Sequence, residues 1–368
     1  MNQLLHCLSK LKRIFYALII ARKLKRQPYF FHYTPDISGG VGTWIETCTV
    51  AFSEYKHFIV SNRGDRNPMA LRLRCKPNVY LIGHLSYKEI ILLFHILPGP
   101  VCVFNHIFWD LKPITKSLIK KDKVIVAALR HFQDSKLQCD PKEIDRVIVF
   151  TKSYEEIYRY KLPVELQLFV QPQCVNETEF VSVKPFRRNN SFVIGNITNG
   201  APWKHSDDFI ALCIEIQKVI PKAAFSFLGA KDLIEQTRDL KNFQIIPPFA
   251  AKTSEYLNSV SILIHKTRRD IKECAPRAIA EAMCAGIPVV AEAKGGIKDM
   301  ILHEENGFLC QNNQDFINYC KLLYENEDLY WSISKKARLY AKANFSLAVF
   351  RGKIENLLRE FETRGYHS

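Results

Sequence analysis

Short apolar runs and helix-period segments alternate along almost the whole chain. After Pro28 the run YFFHYTP has strand length and leads into DISGGVGTWIETCTVAF, a Gly-rich turn that opens into a helical pattern. FIVSN, NVYLIG, VCVFN, KVIVAAL and RVIVFT follow as further strands, with helix-like SYKEIILLFHIL and LKPITKSLIKK among them. LFVQPQCVNETEFV closes this half, and the polar, basic KPFRRNN reads as a linker. The alternation then restarts. SFVIGNI, AFSFLGA, FQIIPP and SILIH read as strands, SDDFIALCIEIQKVI and TSEYLNSV as helices, and DFINYCKLLYEN, LYWSISKKARLYAKANF and LAVFRGKIENLLREF as closing helices. Such alternation predicts two open parallel α/β sheets in tandem, each covered on both faces. A cleft between them is expected, with ligands at the carboxyl ends of the strands.

Composition changes this picture little. The chain has 368 residues, 47% hydrophobic and 24% charged, an ordinary globular balance with room for about two domains. Its eleven cysteines stand singly, without a C-x-x-C pair or a His/Cys cluster at zinc spacing. They read as reduced thiols of a cytosolic protein rather than a disulfide frame or a metal site.

The net charge of +15 adds more. Residues 1–28 hold seven Lys/Arg and no acid, and Leu4, Leu8, Leu11, Phe15 and Leu18 recur at helical spacing. The longest apolar run there, IFYALIIA, is eight residues, far short of the ~20 that span a bilayer. Basic residues follow it without a small-residue cleavage site, which argues against secretion. Two readings stay open: a basic amphipathic helix lying on an anionic membrane surface, or a helix packed on its own domain with a solvated basic face.

The segment beginning at Glu273, ECAPRAIAEAMCAGIPVVAEAKGG, carries the chemistry. Pro276 suits a helix start, Gly286 a left-handed stop, and Pro288 follows. The segment therefore reads as loop, helix, strand IPVVAEA and a Lys294-Gly295-Gly296 turn, entered from strand SILIH. Glu273 falls in the loop before the helix. Glu281 falls in the second turn, where side chains lean back toward the N-terminus. A helix N-terminus attracts phosphate; carboxylates repel it but accept hydrogen bonds from hydroxyls. Hydroxyls flanking a diphosphate describe a nucleotide sugar. The plain alternative is a Glu273 that complements the helix dipole and a Glu281 at the surface.

This segment resembles the donor-binding signature of retaining glycosyltransferases of family 4, which have the GT-B fold of two Rossmann-like α/β domains facing each other across a cleft. The signature is Glu, seven residues, Glu, then E-A-M-x-x-G-x-P-V-V and a Gly-Gly turn, standing here as Glu273, Glu281, EAMCAGIPVV and KGG, with NGFL at Asn306–Leu309. The resemblance covers most of the chain after residue 28 and is specific over 261–310. It implies that Glu281 binds ribose hydroxyls and that Glu273 contacts the sugar at the reacting centre. Gly295 and Gly296 would present backbone amides near sugar and phosphates. The boundaries expected are an N-terminal helix over 1–28, an acceptor domain over 29–182, a donor domain over 190–345, and a C-terminal helix over 346–368 able to cross back to the first domain.

Other positions follow from the same resemblance. SGGVGTW at Ser38–Trp44 matches the Gly-rich loop over the diphosphate, which brings in Gly39 and Gly40. His131 matches a strand-end His near sugar and acceptor, with His106 as fallback and Arg130 beside it on the acceptor side. Lys204 matches a phosphate-binding Lys that stabilises charge on the departing diphosphate. The family usually shows Gly-Arg upstream where this chain has Gly195-Asn196. Asn196 thus stands at the donor site without the guanidinium, and Arg268, Lys266 or Arg130 are the candidate replacements. Asp299 stands for the family's acid beyond the Gly-Gly turn. No Asp-x-Asp is present, and the resemblance implies a metal-independent reaction without cofactor.

The expectation is a cytoplasmic enzyme that moves a sugar from a nucleotide-diphosphate donor to an acceptor hydroxyl with retention. Residues 1–182 carry +10 of the net charge and 183–368 carry +5. A basic acceptor half suggests an anionic, membrane-held glycan or lipid-linked acceptor, as in lipopolysaccharide or capsule synthesis, and peripheral binding at the inner face of the cytoplasmic membrane. The rivals are a sugar-nucleotide epimerase or phosphorylase, an inactive scaffold in a glycan-assembly complex, and a nucleic-acid binder. The last lacks any recognised motif.

Overall fold

The computed structural model describes residues 15, 18–24, 27–37, 39–63, 67–83, 85–107, 112–120, 124–130, 137–185 and 192–364. They form two compact units: Met1–Phe150, Glu155–Gln171 and Arg351–Ser368 make one, and Thr151–Tyr154 with Pro172–Phe350 the other.

The first unit is built on a parallel sheet of seven strands among the described residues, β1 (Tyr29–Asp36), β2 (Lys56–Arg63), β3 (Val79–Ile82), β4 (Cys102–Ile107), β5 (Ile125–Arg130), β6 (Arg146–Val149) and β7 (Leu168–Val170). Their order is β3-β2-β1-β4-β5-β6-β7. The strands read as unbroken apolar runs because helices cover both faces; Tyr29, Phe30 and Phe31 are fully buried. Local signals fix the helix starts. Asn67 accepts from the amide of Ala70 ahead of Pro68–Arg74, and Ser86 with Glu89 closes a capping box on Tyr87–Ile96. LKPITKSLIKK supplies only one turn, Lys116–Ile119, stopped by Lys120 at φ 49°. From Arg351 onward the C-terminal helix Leu347–Arg364 is part of this unit, its Arg351 donating to the Ala51 carbonyl and pairing with Glu54.

The second unit has six parallel strands among the described residues, β8 (Phe192–Ile197), β9 (Ala223–Leu228), β10 (Phe243–Ile246), β11 (Ile262–His265), β12 (Val289–Glu292) and β13 (Phe308–Cys310), in the order β10-β9-β8-β11-β12-β13. Alternate residues feed two separate cores. Leu263, Val289 and Ala291 enter one, and Ile262, Ile264 and Val290 the other. Each buried Ile, Leu or Val among them contributes about 1.5–3 kcal/mol, so this sheet is a rigid platform for whatever its strand ends carry. β13 has only three residues, too few for the apolar pattern to announce it.

The helix Arg277–Ala285 begins after Pro276 and stops at Gly286, whose φ is 72°. Its last carbonyls are satisfied from the helix Glu327–Phe345: Arg338 donates to Ala285 and Ser334 to Gly286. Ile279, Ala282 and Met283 anchor its inner face.

Of the N-terminal helix, residues 15 and 18–24 are described and helical, with Ile20 and Leu24 buried and Phe15 exposed. Leu4, Leu8 and Leu11 lie outside the described residues. No described helix is long and apolar enough to cross a membrane.

Candidate active site

In the second sheet the chain order reverses between β8 and β11, the place where open α/β sheets bind ligands. The segments leaving the carboxyl ends of β8, β11 and β12 carry Lys204, Glu273 and Lys294-Gly295-Gly296. The structure brings these sequence-selected residues together in one cluster.

Glu273 is its centre. One carboxylate oxygen pairs with the Lys204 ammonium, and the other accepts from His265 Nε2 at 2.7 Å. His265 is the last residue of β11 and is 3% exposed. Burial, with Lys204, His205 and Lys294 adding to it, lowers its imidazole to about 3. It is therefore a neutral donor through Nε2–H, and its buried Nδ1 has no hydrogen-bond partner. Burial also lowers the Lys204 ammonium, to about 8. His265 was not among the expected site residues. A His closing a strand beside the switch point was the available signal.

Asn196, on β8, is 1% exposed, with both ends of its amide engaged. Its Nδ2 donates to the Ile264 carbonyl at 2.9 Å and its Oδ1 lies 3.0 Å from His205 Nε2. His205 Nδ1 in turn lies 2.8 Å from the Asp232 carboxylate. Burial draws His205 below its ordinary pKa, with Asp232 opposing. Asn196 is thus a clasp between β8 and β11, next to the turn that carries Lys204.

Glu281 accepts from Arg277 Nε at 2.7 Å, and Arg277 Nη1 donates to the Cys174 carbonyl at 2.6 Å. The acid is held near the helix N-terminus with its side chain 11% exposed. The double glycine is set by contact with the Glu273 loop. Gly295 has φ 56°, and a Cβ there would lie 2.6 Å from the Glu273 carbonyl; one on Gly296 would lie 1.6 Å from that of Cys274. Gly296 donates its amide to Glu273 O at 2.9 Å. That amide, expected to face a donor, is engaged within the protein.

The remaining cations are already paired. Arg268 forms a two-pronged contact with Asp270 at 2.6 and 2.7 Å on the surface, and Lys266 pairs with Asp208. Lys294 reaches the Arg268 carbonyl at 2.7 Å and Glu292 at 3.2 Å. Asp299 accepts the Ser153 amide and hydroxyl at 2.8 Å each.

In the first unit the order reverses between β1 and β4. Gly39, at φ 61°, and exposed Gly40 open the helix Gly39–Ala51 directly after β1. His106 lies on β4 and is fully buried, its Nε2 3.5 Å from His32 Nδ1. Arg130 ends β5, but its side chain lies outside the described residues, as does all of His131. Among the described residues one group could hold a metal ion: the ligand atoms of His32, Cys48 and His57 lie within 4.8 Å of one another. The imidazoles already have partners. His32 Nε2 is 3.1 Å from His57 Nδ1, and His57 Nε2 donates to the Phe52 carbonyl at 3.1 Å. Sequence spacing could not show this trio, because a sheet and a facing helix assemble it.

The two parallel sheets with flanking helices define a GT-B fold. The chain superposes on Anabaena HepE, solved in complex with UDP and glucose, with a TM-score of 0.72 at 13% identity, covering 90% of this chain and 100% of that one. It superposes on a glycosyltransferase from Rickettsia africae with a TM-score of 0.71 at 18% identity, covering 91% and 98%. Residues 177–340 match the family model of glycosyl transferases group 1. Curated relatives match over shorter stretches. An uncharacterized glycosyltransferase of Haemophilus influenzae is 38% identical over 73 residues, 19% of this chain and 21% of that protein. The trehalose synthase of Thermococcus litoralis is 26% identical over 184 residues, 46% of this chain and 44% of that protein. The matches thus span less than half of either relative's length.

Proposed function

We propose that this chain is a retaining glycosyltransferase of family 4, transferring a sugar from a nucleoside-diphosphate donor to an acceptor hydroxyl. The observation that carries the proposal is Glu273 held between Lys204 and His265 at a strand-order switch point. The group 1 family match over residues 177–340 supports it, and so does the UDP-binding structural neighbour.

Each residue then has a task. Lys204 neutralises charge that builds on the diphosphate as the anomeric C–O bond breaks. Glu273 accepts hydrogen bonds from sugar hydroxyls beside that carbon, and Glu281 does the same for the ribose. The acceptor oxygen forms its bond on the face the diphosphate leaves, and a departing phosphate oxygen takes the acceptor proton. Cationic side chains do this without a metal ion. The acceptor is a cell-surface glycan or its lipid-linked precursor, in lipopolysaccharide or capsule synthesis. The basic residues of 1–28 hold the enzyme peripherally on an anionic membrane face. Removing residues 1–28 should abolish vesicle binding; vesicle binding that persisted would refute the membrane part.

Thermal melting with UDP, GDP, ADP and CMP, chelator present, tests the donor site. A ligand at 100-fold its dissociation constant adds about 2.7 kcal/mol. One diphosphate should raise the midpoint, and Glu281→Ala should remove the effect. A flat response to all four would refute the donor site. It would favour a non-catalytic scaffold, a reading to which Asn196, standing where the resemblance has Arg, already points.

A further inference from the structure

Glu273 has two partners of different character. His265 is buried at the end of β11, and its ring is fixed by the strand. Lys204 follows β8 on a short turn, Pro202–Lys204, and its side chain remains 25% exposed. A lysine is a compact charge on a flexible four-carbon stem and changes partners without disturbing the backbone. The neighbouring cations do not compete for Glu273, because Arg268 is bound to Asp270, Lys266 to Asp208 and Lys294 to Glu292.

We propose that a nucleoside diphosphate switches the site on by exchanging the partner of Lys204. The ammonium leaves Glu273 for a diphosphate oxygen, and Glu273, still held by His265, turns its released oxygen to a sugar hydroxyl. This rests on the donor-site reading above. The exchange is coulombically ordered. Before ligand arrives, Lys204 screens a carboxylate that would repel an incoming diphosphate. After it arrives, the same cation offsets the new negative charge, and the carboxylate becomes available to the sugar. The diphosphate is thereby coupled to sugar recognition, and His265 is the positioning residue that keeps Glu273 in place while its cation is away.

A carboxylate that only repelled phosphate would weaken monophosphate and diphosphate binding alike. Exchange makes a different demand, since the nucleotide must first break an ion pair. The test is titration calorimetry with UDP, GDP and ADP and with the matching monophosphates, on wild type, Glu273→Gln and Lys204→Met. For the diphosphate that binds wild type, Glu273→Gln should bind it about tenfold tighter, as expected for an ion pair between the exposed and buried extremes. The monophosphate should change less. Lys204→Met should lose most of the preference for diphosphate over monophosphate. His265→Leu should keep diphosphate affinity within about twofold and lose diphosphate release from the sugar donor, and His265→Gln, which retains an N–H donor, should restore it. Melting of each variant without ligand checks folding. Unchanged or weaker diphosphate binding by Glu273→Gln overturns the exchange, as does a Lys204→Met variant that keeps the preference. Wild type that binds none of the three diphosphates overturns the donor site itself.

Discussion

Gly296 donates its backbone amide to the carbonyl of Glu273 across 2.9 Å, which ties the double-glycine turn to the loop bearing the central acid. The turn therefore sets where Glu273 stands. A Cβ on Gly296 would fall 1.6 Å from the Cys274 carbonyl, so Gly296→Ala must displace one segment or the other. We expect a loss of about 1–3 kcal/mol, as for an overpacked core, with sugar transfer abolished even where the variant is folded. A melting curve and a turnover assay on the same preparation check both.

Asn196 should matter for stability and not for the donor. Asn196→Ala leaves His205 Nε2 and the Ile264 carbonyl without a partner, at about 1–3 kcal/mol. Diphosphate affinity of the folded fraction should be unchanged. Asn196→Arg, which recreates the residue common in the resembling family, should fail to tighten binding. It would place a guanidinium in a site that is 1% exposed. Urea unfolding and calorimetry separate the two effects.

Lys204 gives the pH dependence. Burial holds its ammonium at about 8, below the ordinary value near ~10.4. In the proposed role the charged form binds the diphosphate, so affinity should be full below pH 8 and fall as pH rises through it, by up to about tenfold per unit. Folding responds with the opposite sign. Between the folded value and the unfolded one the unfolded chain binds more protons, so this group makes stability rise with pH from about 8 to ~10. Calorimetry and urea midpoints from pH 7 to 10 report both slopes. In Lys204→Met both should flatten.

Arg277 links Glu281 to the Cys174 carbonyl. Removing it as Arg277→Met takes a cation from a carboxylate whose side chain is 11% exposed. The expected cost is about 2–3 kcal/mol, somewhat below that of breaking a fully buried pair. The double variant with Glu281→Gln should recover part of it. A double-mutant cycle by urea unfolding measures the coupling.

The fold is legible where local rules act alone. Pro276 and Gly286 bracket the helix Arg277–Ala285, and buried strands such as β1 and β6 announce themselves as apolar runs. Glu273, Glu281 and Lys204 are legible through motif spacing. His265, His205 and Asp232 are not, because their pairings form only when the ends of β8, β9 and β11 stand side by side. Asn196 shows the limit most plainly. Residue type suggests a weakened ligand contact, and only the folded sheet reveals that its side chain turns inward. LKPITKSLIKK errs the other way, since Pro113 and the left-handed Lys120 leave room for a single turn.

The central claim is that Glu273, between Lys204 and His265, serves a nucleoside-diphosphate sugar. The most direct measurement is release of nucleoside diphosphate from UDP-, GDP- and ADP-linked sugars in the presence of chelator and a crude glycolipid acceptor, followed by phosphorus NMR. Wild type should release diphosphate from one donor class, and Glu273→Gln should not, while still binding the free diphosphate. Release by wild type and Glu273→Gln at equal rates, or by neither, would contradict the account.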